Sequence, residues 1–60
     1  MLKTIKKGHY IALMMNTETK EYEIWEIYEQ KNERWDWGIT NKDEAIEVYR
    51  YAEKHYTDGL

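Results

Sequence analysis

This chain of 60 residues contains no cysteine, proline, serine or phenylalanine, and only three glycines. Without cysteine there is no disulfide and no thiolate metal site, and without serine as well the two commonest catalytic nucleophiles are missing. The glycines, at positions 8, 38 and 59, are isolated from one another, so no glycine-rich phosphate loop is present. The remaining candidates, two histidines and the carboxylates, form no catalytic or metal-ligand motif. We therefore expect a protein that is not an enzyme and that uses no metal or cofactor.

The length predicts one small domain over residues 1–60, since a chain of this size buries only about 60% of its unfolded surface. The apolar run at residues 9–15 ends at Asn16 and is too short to span a membrane. No small-residue cleavage site follows it. We expect a soluble, cytoplasmic protein with no membrane contact.

Charge is unevenly distributed along the chain. The net charge is -3, yet residues 1–7 contain Lys3, Lys6 and Lys7 and no acid, so the rest of the chain is more acidic still. Acidic surface repels phosphate backbones, which makes direct nucleic-acid binding an unfavoured function. We interpret residues 1–7 as a basic segment that is free to be flexible.

The pattern of apolar and turn residues predicts an α+β fold. Residues 9–15, 21–29 and 35–39 read as strands, separated by polar loops at 16–20 and 30–33. We expect a three-stranded antiparallel sheet (β-β-β-α) with one C-terminal helix packed on one face.

A helix start is predicted near Lys42, because Asn41 followed by Glu44 has the spacing of an N-cap and a returning carboxylate. Residues at helical spacing then form one apolar stripe, which should cover the sheet. These residues are Ala45, Val48, Tyr49, Ala52 and Tyr56.

Strand 21–29 carries both acids and large apolar groups on each of its faces. One face contains Tyr22, Ile24, Glu26 and Tyr28, and the other contains Glu21, Glu23, Trp25, Ile27 and Glu29. Strand 9–15 is apolar on both sides too, and Trp35, Trp37 and Ile39 are predicted to share one face of the last strand. A single helix cannot cover both sheet faces. Since monomers rarely expose large apolar patches, we expect a second copy or another protein to cover the open face.

The predicted partner-binding residues combine acids with tryptophans. In this hypothesis carboxylates stand in for phosphates and steer the encounter with a basic groove, while the tryptophans anchor in pockets. The predicted set is Glu21, Glu23, Trp25, Glu26, Glu29, Trp35, Asp36 and Trp37, and Glu18 and Glu33 add to the negative surface.

In size, charge and plan this chain resembles the small acidic inhibitors that phages and mobile elements direct against nucleic-acid-acting host enzymes. That resemblance implies a phage-type, anti-defence DNA mimic that binds and inhibits such an enzyme. The three strands followed by the Asn-x-x-Glu-Ala helix start at 41–45 are also similar to HicB-type antitoxins over residues 9–56, although the proline usual before that helix is missing. The alternative is therefore an antitoxin-like or generic interaction module that uses an aromatic sheet face.

We also expect a homodimer, which would cover the aromatic patch and leave the acids exposed, and which is therefore compatible with the acidic-inhibitor function. In it the open sheet faces pair, or strand 9–15 or strand 35–39 joins its symmetry mate edge to edge.

Overall fold

The computed structural model describes residues 1–30 and 32–59, in which a four-stranded antiparallel sheet carries one C-terminal helix. The predicted α+β class is confirmed, but the sheet has four strands and not three. In the sheet the strands follow their order along the chain. The elements are β1 (Leu2–Lys7), β2 (Ile11–Asn16), β3 (Glu21–Glu26), a short 3₁₀ turn (Tyr28–Gln30), β4 (Glu33–Ile39) and α1 (Lys42–Gly59).

The additional strand, β1, is formed by the basic N-terminal segment. It pairs with β2 from Leu2 opposite Asn16 to Lys7 opposite Ala12, with one bulge. The carbonyl of Met1 accepts hydrogen bonds from the backbone N–H and hydroxyl of Thr17, at 2.9 and 3.0 Å. β2 is therefore an interior strand, with β1 and β3 as its neighbours. It cannot form the edge contact proposed for strand 9–15.

The hairpin between β2 and β3 has the polar turn predicted at 16–20. The side-chain oxygen of Asn16 accepts hydrogen bonds from the backbone N–H of Glu18 and of Thr19, at 2.9 and 3.3 Å. Its carbonyl accepts a third bond, from the N–H of Lys20, whose φ of 64° lies in the left-handed region. This turn sets the register in which Leu13 lies opposite Ile24.

The last two strands differ from the predicted boundaries. β3 ends at Glu26 and not at position 29, because Glu29 and Gln30 have φ values of 51° and 63° and turn the chain. β4 begins at Glu33 and has two register shifts against β3. Lys31, in the predicted second loop, lies outside the described residues.

The helix begins where the sequence predicts. The side-chain oxygen of Asn41 accepts a hydrogen bond at 3.0 Å from the N–H of Glu44, and its carbonyl accepts one from the N–H of Ala45. The predicted stripe packs on the sheet, with Ala45, Tyr49 and Ala52 buried and Val48 and Tyr56 half-buried against them. Across from the stripe lie the three largest fully buried side chains, each of which stabilises the fold by about 1.5–3 kcal/mol. They are Ile11, Leu13 and Ile24.

The loop between β1 and β2 is fastened to the helix by Glu53. The carboxylate of Glu53 accepts hydrogen bonds from the backbone N–H groups of His9, Tyr10 and Ile11. Gly8 precedes these donors, and a Cβ atom there would lie 2.5 Å from the Tyr49 hydroxyl. The loop can therefore approach the helix this closely only with glycine at position 8.

Candidate protein-binding surface

The helix divides the residues of β3 between two different environments. Ile24 is fully buried and Tyr22 half-buried on the side that α1 covers. Strand alternation puts Glu21, Glu23 and Trp25 on the opposite side. We call that side the open face, since α1 does not lie on it. Cross-strand pairing adds Met14 and Ala12 from β2, Thr4 and Lys7 from β1, and Arg34 from β4.

Glu23 is the centre of a polar network on the open face. Only 7% of this residue is exposed, although no helix covers it. Its Oε1 accepts a hydrogen bond from the indole N–H of Trp25 at 2.9 Å, and its Oε2 lies 3.8 Å from the Arg34 guanidinium. One carboxylate thus orients an aromatic side chain of its own strand and a cation of the neighbouring strand.

Arg34 and Trp37 form the most exposed part of this network. The Cζ atom of Arg34 lies 4.3 Å from the Trp37 ring centroid, within the range of a cation–π contact. Trp37 is 55% exposed. The Trp37 ring is therefore exposed to solvent, and its position is fixed by the Arg34 guanidinium, which Glu23 also contacts.

The three residues predicted to share one face of the last strand do not do so. Trp35 packs against the hydrophobic core with Ile39, whereas Trp37 is exposed. The cause is the pair of register shifts in β4, since each extra residue resets the alternation of side chains. Gly38, with a φ of 76°, lies in the second shift.

The other predicted acids lie away from the Glu23 network. Glu26 accepts a hydrogen bond from the Tyr56 hydroxyl of the helix. This bond, together with burial and the charge of Glu26, raises the pKa of Tyr56. Asp36 accepts a bond at 2.8 Å from the backbone N–H of Trp37, and Glu29 is exposed in the 3₁₀ turn.

The structure therefore splits the predicted partner-binding set. It brings together Glu21, Glu23, Trp25 and Trp37 on the open face, and it places Trp35, half-buried, against the core. Sequence reasoning missed Arg34, whose neighbours in the sequence are also charged or aromatic. Only the strand register, which sets Arg34 opposite Trp25, identifies it as part of the surface.

The two histidines belong to a series of aromatic contacts that joins the start of β2 to the helix, and His55 also stacks on Tyr51. His9 meets Tyr10 edge-on at 4.6 Å between ring centroids, and His55 meets Tyr56 edge-on at 5.5 Å. Tyr28 lies between Tyr10 and Tyr56, at 5.7 and 5.2 Å. Within residues 1–30 and 32–59, no group of three or more histidines and carboxylates is arranged to hold a metal ion.

No protein-family model matches this chain, and no curated protein or solved structure shows significant similarity to it. In the described part of the chain, the helix is not long and apolar enough to cross a membrane.

Proposed function

We propose that this protein acts by binding another protein, and that the open face of its sheet is the contact surface. The observation that carries the proposal is the exposed Trp37 ring in cation–π contact with Arg34, which lies opposite Trp25. Tryptophan and arginine are the residue types most enriched among those that dominate binding energy at protein interfaces. A sheet face that presents both is suited to contact a partner.

The geometry of the network also favours tight binding. Trp25 is fixed through its N–H by Glu23, and Arg34 is fixed between Glu23 and Trp37. Side chains that are already ordered lose less conformational entropy when a partner binds. The proposed action is inhibition, since a rigid sheet face that covers a functional surface excludes the natural ligand of that surface.

A second candidate is the acidic version of this function, in which the target is a nucleic-acid-acting enzyme. It is supported by Glu33 and Glu29, which are exposed near one end of the sheet, and by the pairing of Glu33 with Glu26. Four of the acids expected to imitate phosphates have partners within the molecule, however. Glu23 contacts Trp25 and Arg34, and Glu26 accepts a bond from Tyr56. Asp36 accepts a bond from the Trp37 N–H, and Glu18 lies 3.5 Å from the N-terminal amine. The contacts therefore give more support to the aromatic version, in which Trp37, Trp25 and Arg34 supply the binding energy.

One pull-down experiment separates the two versions. Wild-type protein and three variants are immobilised, exposed to a host lysate and washed at low and then high salt, and the bound proteins are identified by mass spectrometry. The variants are Trp37→Ala, the double change Glu29→Gln with Glu33→Gln, and Tyr51→Ala as a control for loss of an exposed aromatic ring on the helix.

The aromatic version predicts that the partner stays bound through the high-salt wash to the wild type, to the acid variant and to Tyr51→Ala. It should not be retained by Trp37→Ala. The acidic version predicts an enzyme that high salt releases and that the double variant no longer binds. A partner bound equally by all four proteins would contradict the assignment of the open face.

A further inference from the structure

We propose that the outer edge of β1 accepts an extended, acidic segment of a partner protein, which adds to the sheet as a fifth strand. The strand edge borders the open face, to which Lys7 contributes, but it binds through the backbone of β1 and the proposal does not depend on the proposed function of the open face. β1 is the last strand on its side of the sheet, and all six of its residues are exposed. Among residues 1–30 and 32–59 no strand pairs with its outer edge, so backbone donors and acceptors there face solvent.

The other edge of the sheet is unsuited to strand addition. β4 has two register shifts, and Gly38 in one of them has a φ of 76°. The N–H of Trp37 is already bonded to the side chain of Asp36 at 2.8 Å. Bulges and occupied backbone donors are means by which proteins block an edge. β1 has one register shift, between Thr4 and Lys6, against two in β4, so its edge is the less interrupted of the two.

β1 is also held in place before any partner arrives. Its pairing with β2 runs from Leu2 to Lys7, with one register shift between Thr4 and Lys6. Just before it, the Met1 carbonyl is bonded to both the N–H and the hydroxyl of Thr17. An ordered edge lowers the entropy cost of adding a strand by main-chain hydrogen bonds.

Charge identifies the chemistry of the added segment. β1 contains Lys3, Lys6 and Lys7 and no acid. Lys3 and Lys6 lie opposite Met15 and Leu13, while Lys7 lies opposite Ala12, so cations occupy both faces of the edge. Acidic side chains on either face of an added strand would therefore lie near a lysine of β1.

A second copy of this chain is a poorer occupant of the same edge. Pairing β1 with β1 brings two identical strands together, each with three lysines and no compensating acid. Like charges on paired strands are destabilising. An alternative role for lysines on an edge is to prevent aggregation. If that were their whole role here, an acidic strand would not bind.

NMR titration of the ¹⁵N-labelled full chain tests the proposal, with a short peptide of alternating valine and glutamate as the probe. We expect chemical-shift changes and slowed amide exchange concentrated in β1, and no comparable effect from the matching valine–lysine peptide. Lys3→Glu should weaken binding of the acidic peptide severalfold, whereas the same charge change at the exposed helix start, Lys42→Glu, should not.

Four outcomes would overturn the assignment: no binding of the acidic peptide, shifts that map to the open face around Trp37, equal binding of both peptides, or full binding by Lys3→Glu. The Trp37→Ala variant separates this proposal from the proposed function. It should keep the β1 shifts even though it removes the exposed ring of the open face.

Discussion

The carboxylate of Glu53 accepts a hydrogen bond at 3.0 Å from the backbone N–H of Ile11, 42 positions earlier in the chain. It also accepts bonds from the N–H groups of His9 and Tyr10, at 2.8 and 3.2 Å. Three consecutive donors that point at one site form an anion-binding concavity, and here the anion is a side chain of the helix. Glu53 thus joins the helix to the loop that connects β1 to β2.

We predict that Glu53→Ala lowers the free energy of unfolding by about 1–3 kcal/mol, because three backbone donors lose a charged acceptor. For a domain of this size, each 1 kcal/mol corresponds to about 4–8 °C in Tm. Thermal unfolding followed by circular dichroism measures the effect. Glu53→Gln keeps one carbonyl acceptor and should lose less.

The control for this prediction is Glu47→Ala, which removes an exposed carboxylate from the same helix. Its Tm should stay close to that of the wild type. A small carboxylate such as formate should raise the Tm of Glu53→Ala more than that of the wild type, since it can occupy the vacated site. Equal losses in the Glu47 and Glu53 variants would show that the loop contact contributes nothing.

Gly8→Ala should destabilise the protein through the same loop. The new Cβ would lie 2.5 Å from the Tyr49 hydroxyl and 2.7 Å from Oε2 of Glu53, closer than atoms can approach without displacement. We expect a loss of about 1–3 kcal/mol, typical of overpacking. Urea unfolding measures it, and the double variant Gly8→Ala with Tyr49→Phe should recover part of the loss if the hydroxyl is the obstacle. No change in the single variant would contradict the close approach.

The helix and the hairpin could be predicted because their signals are local. Asn41 and Glu44 lie three residues apart, and the stripe that includes Tyr49 repeats within single turns. The basic segment that forms β1 lacks a clear apolar alternation, so no local pattern indicated a strand there.

The binding surface was only partly predictable, because bulges change faces without a distinctive residue pattern. Alternation in β3 correctly grouped Glu23 with Trp25. In β4 the shifts separated Trp37 from Trp35, and only the three-dimensional register reveals them. The link between Glu53 and the β1–β2 loop joins distant parts of the chain, so no spacing rule indicates it.

Trp35 and Trp37 should respond in opposite ways to truncation. Trp35→Ala removes a ring that packs against the core and should cost about 2 kcal/mol or more. Trp37→Ala removes an exposed ring and a contact with Arg34, and should cost less than about 1 kcal/mol. Chemical unfolding of both variants measures the difference. If the two costs were equal, the assignment of the two rings to different environments would be wrong.

Alkaline pH should weaken the contact between the helix and β3. The Tyr56 hydroxyl donates a hydrogen bond to Glu26, and this bond, burial and the charge of Glu26 raise the pKa of Tyr56 above its usual value of 10.0. The folded protein therefore retains this proton at pH values where the unfolded chain has lost it. The contribution to stability is complete below about pH 10 and is lost as the pH rises through the raised pKa of the folded state.

The corresponding experiment compares wild type with Tyr56→Phe by urea unfolding at neutral pH and at several values above about pH 10. The stability difference between the two proteins should be largest at neutral pH and should shrink as the pH rises. Tyr49, whose pKa is also raised, by burial and then by Glu53, remains in both proteins, so its titration cancels from the difference. Tyr51→Phe serves as the control, because its ring is 66% exposed on the helix. A difference between wild type and Tyr56→Phe that stays constant with pH would mean that the bond to Glu26 does not depend on the Tyr56 proton.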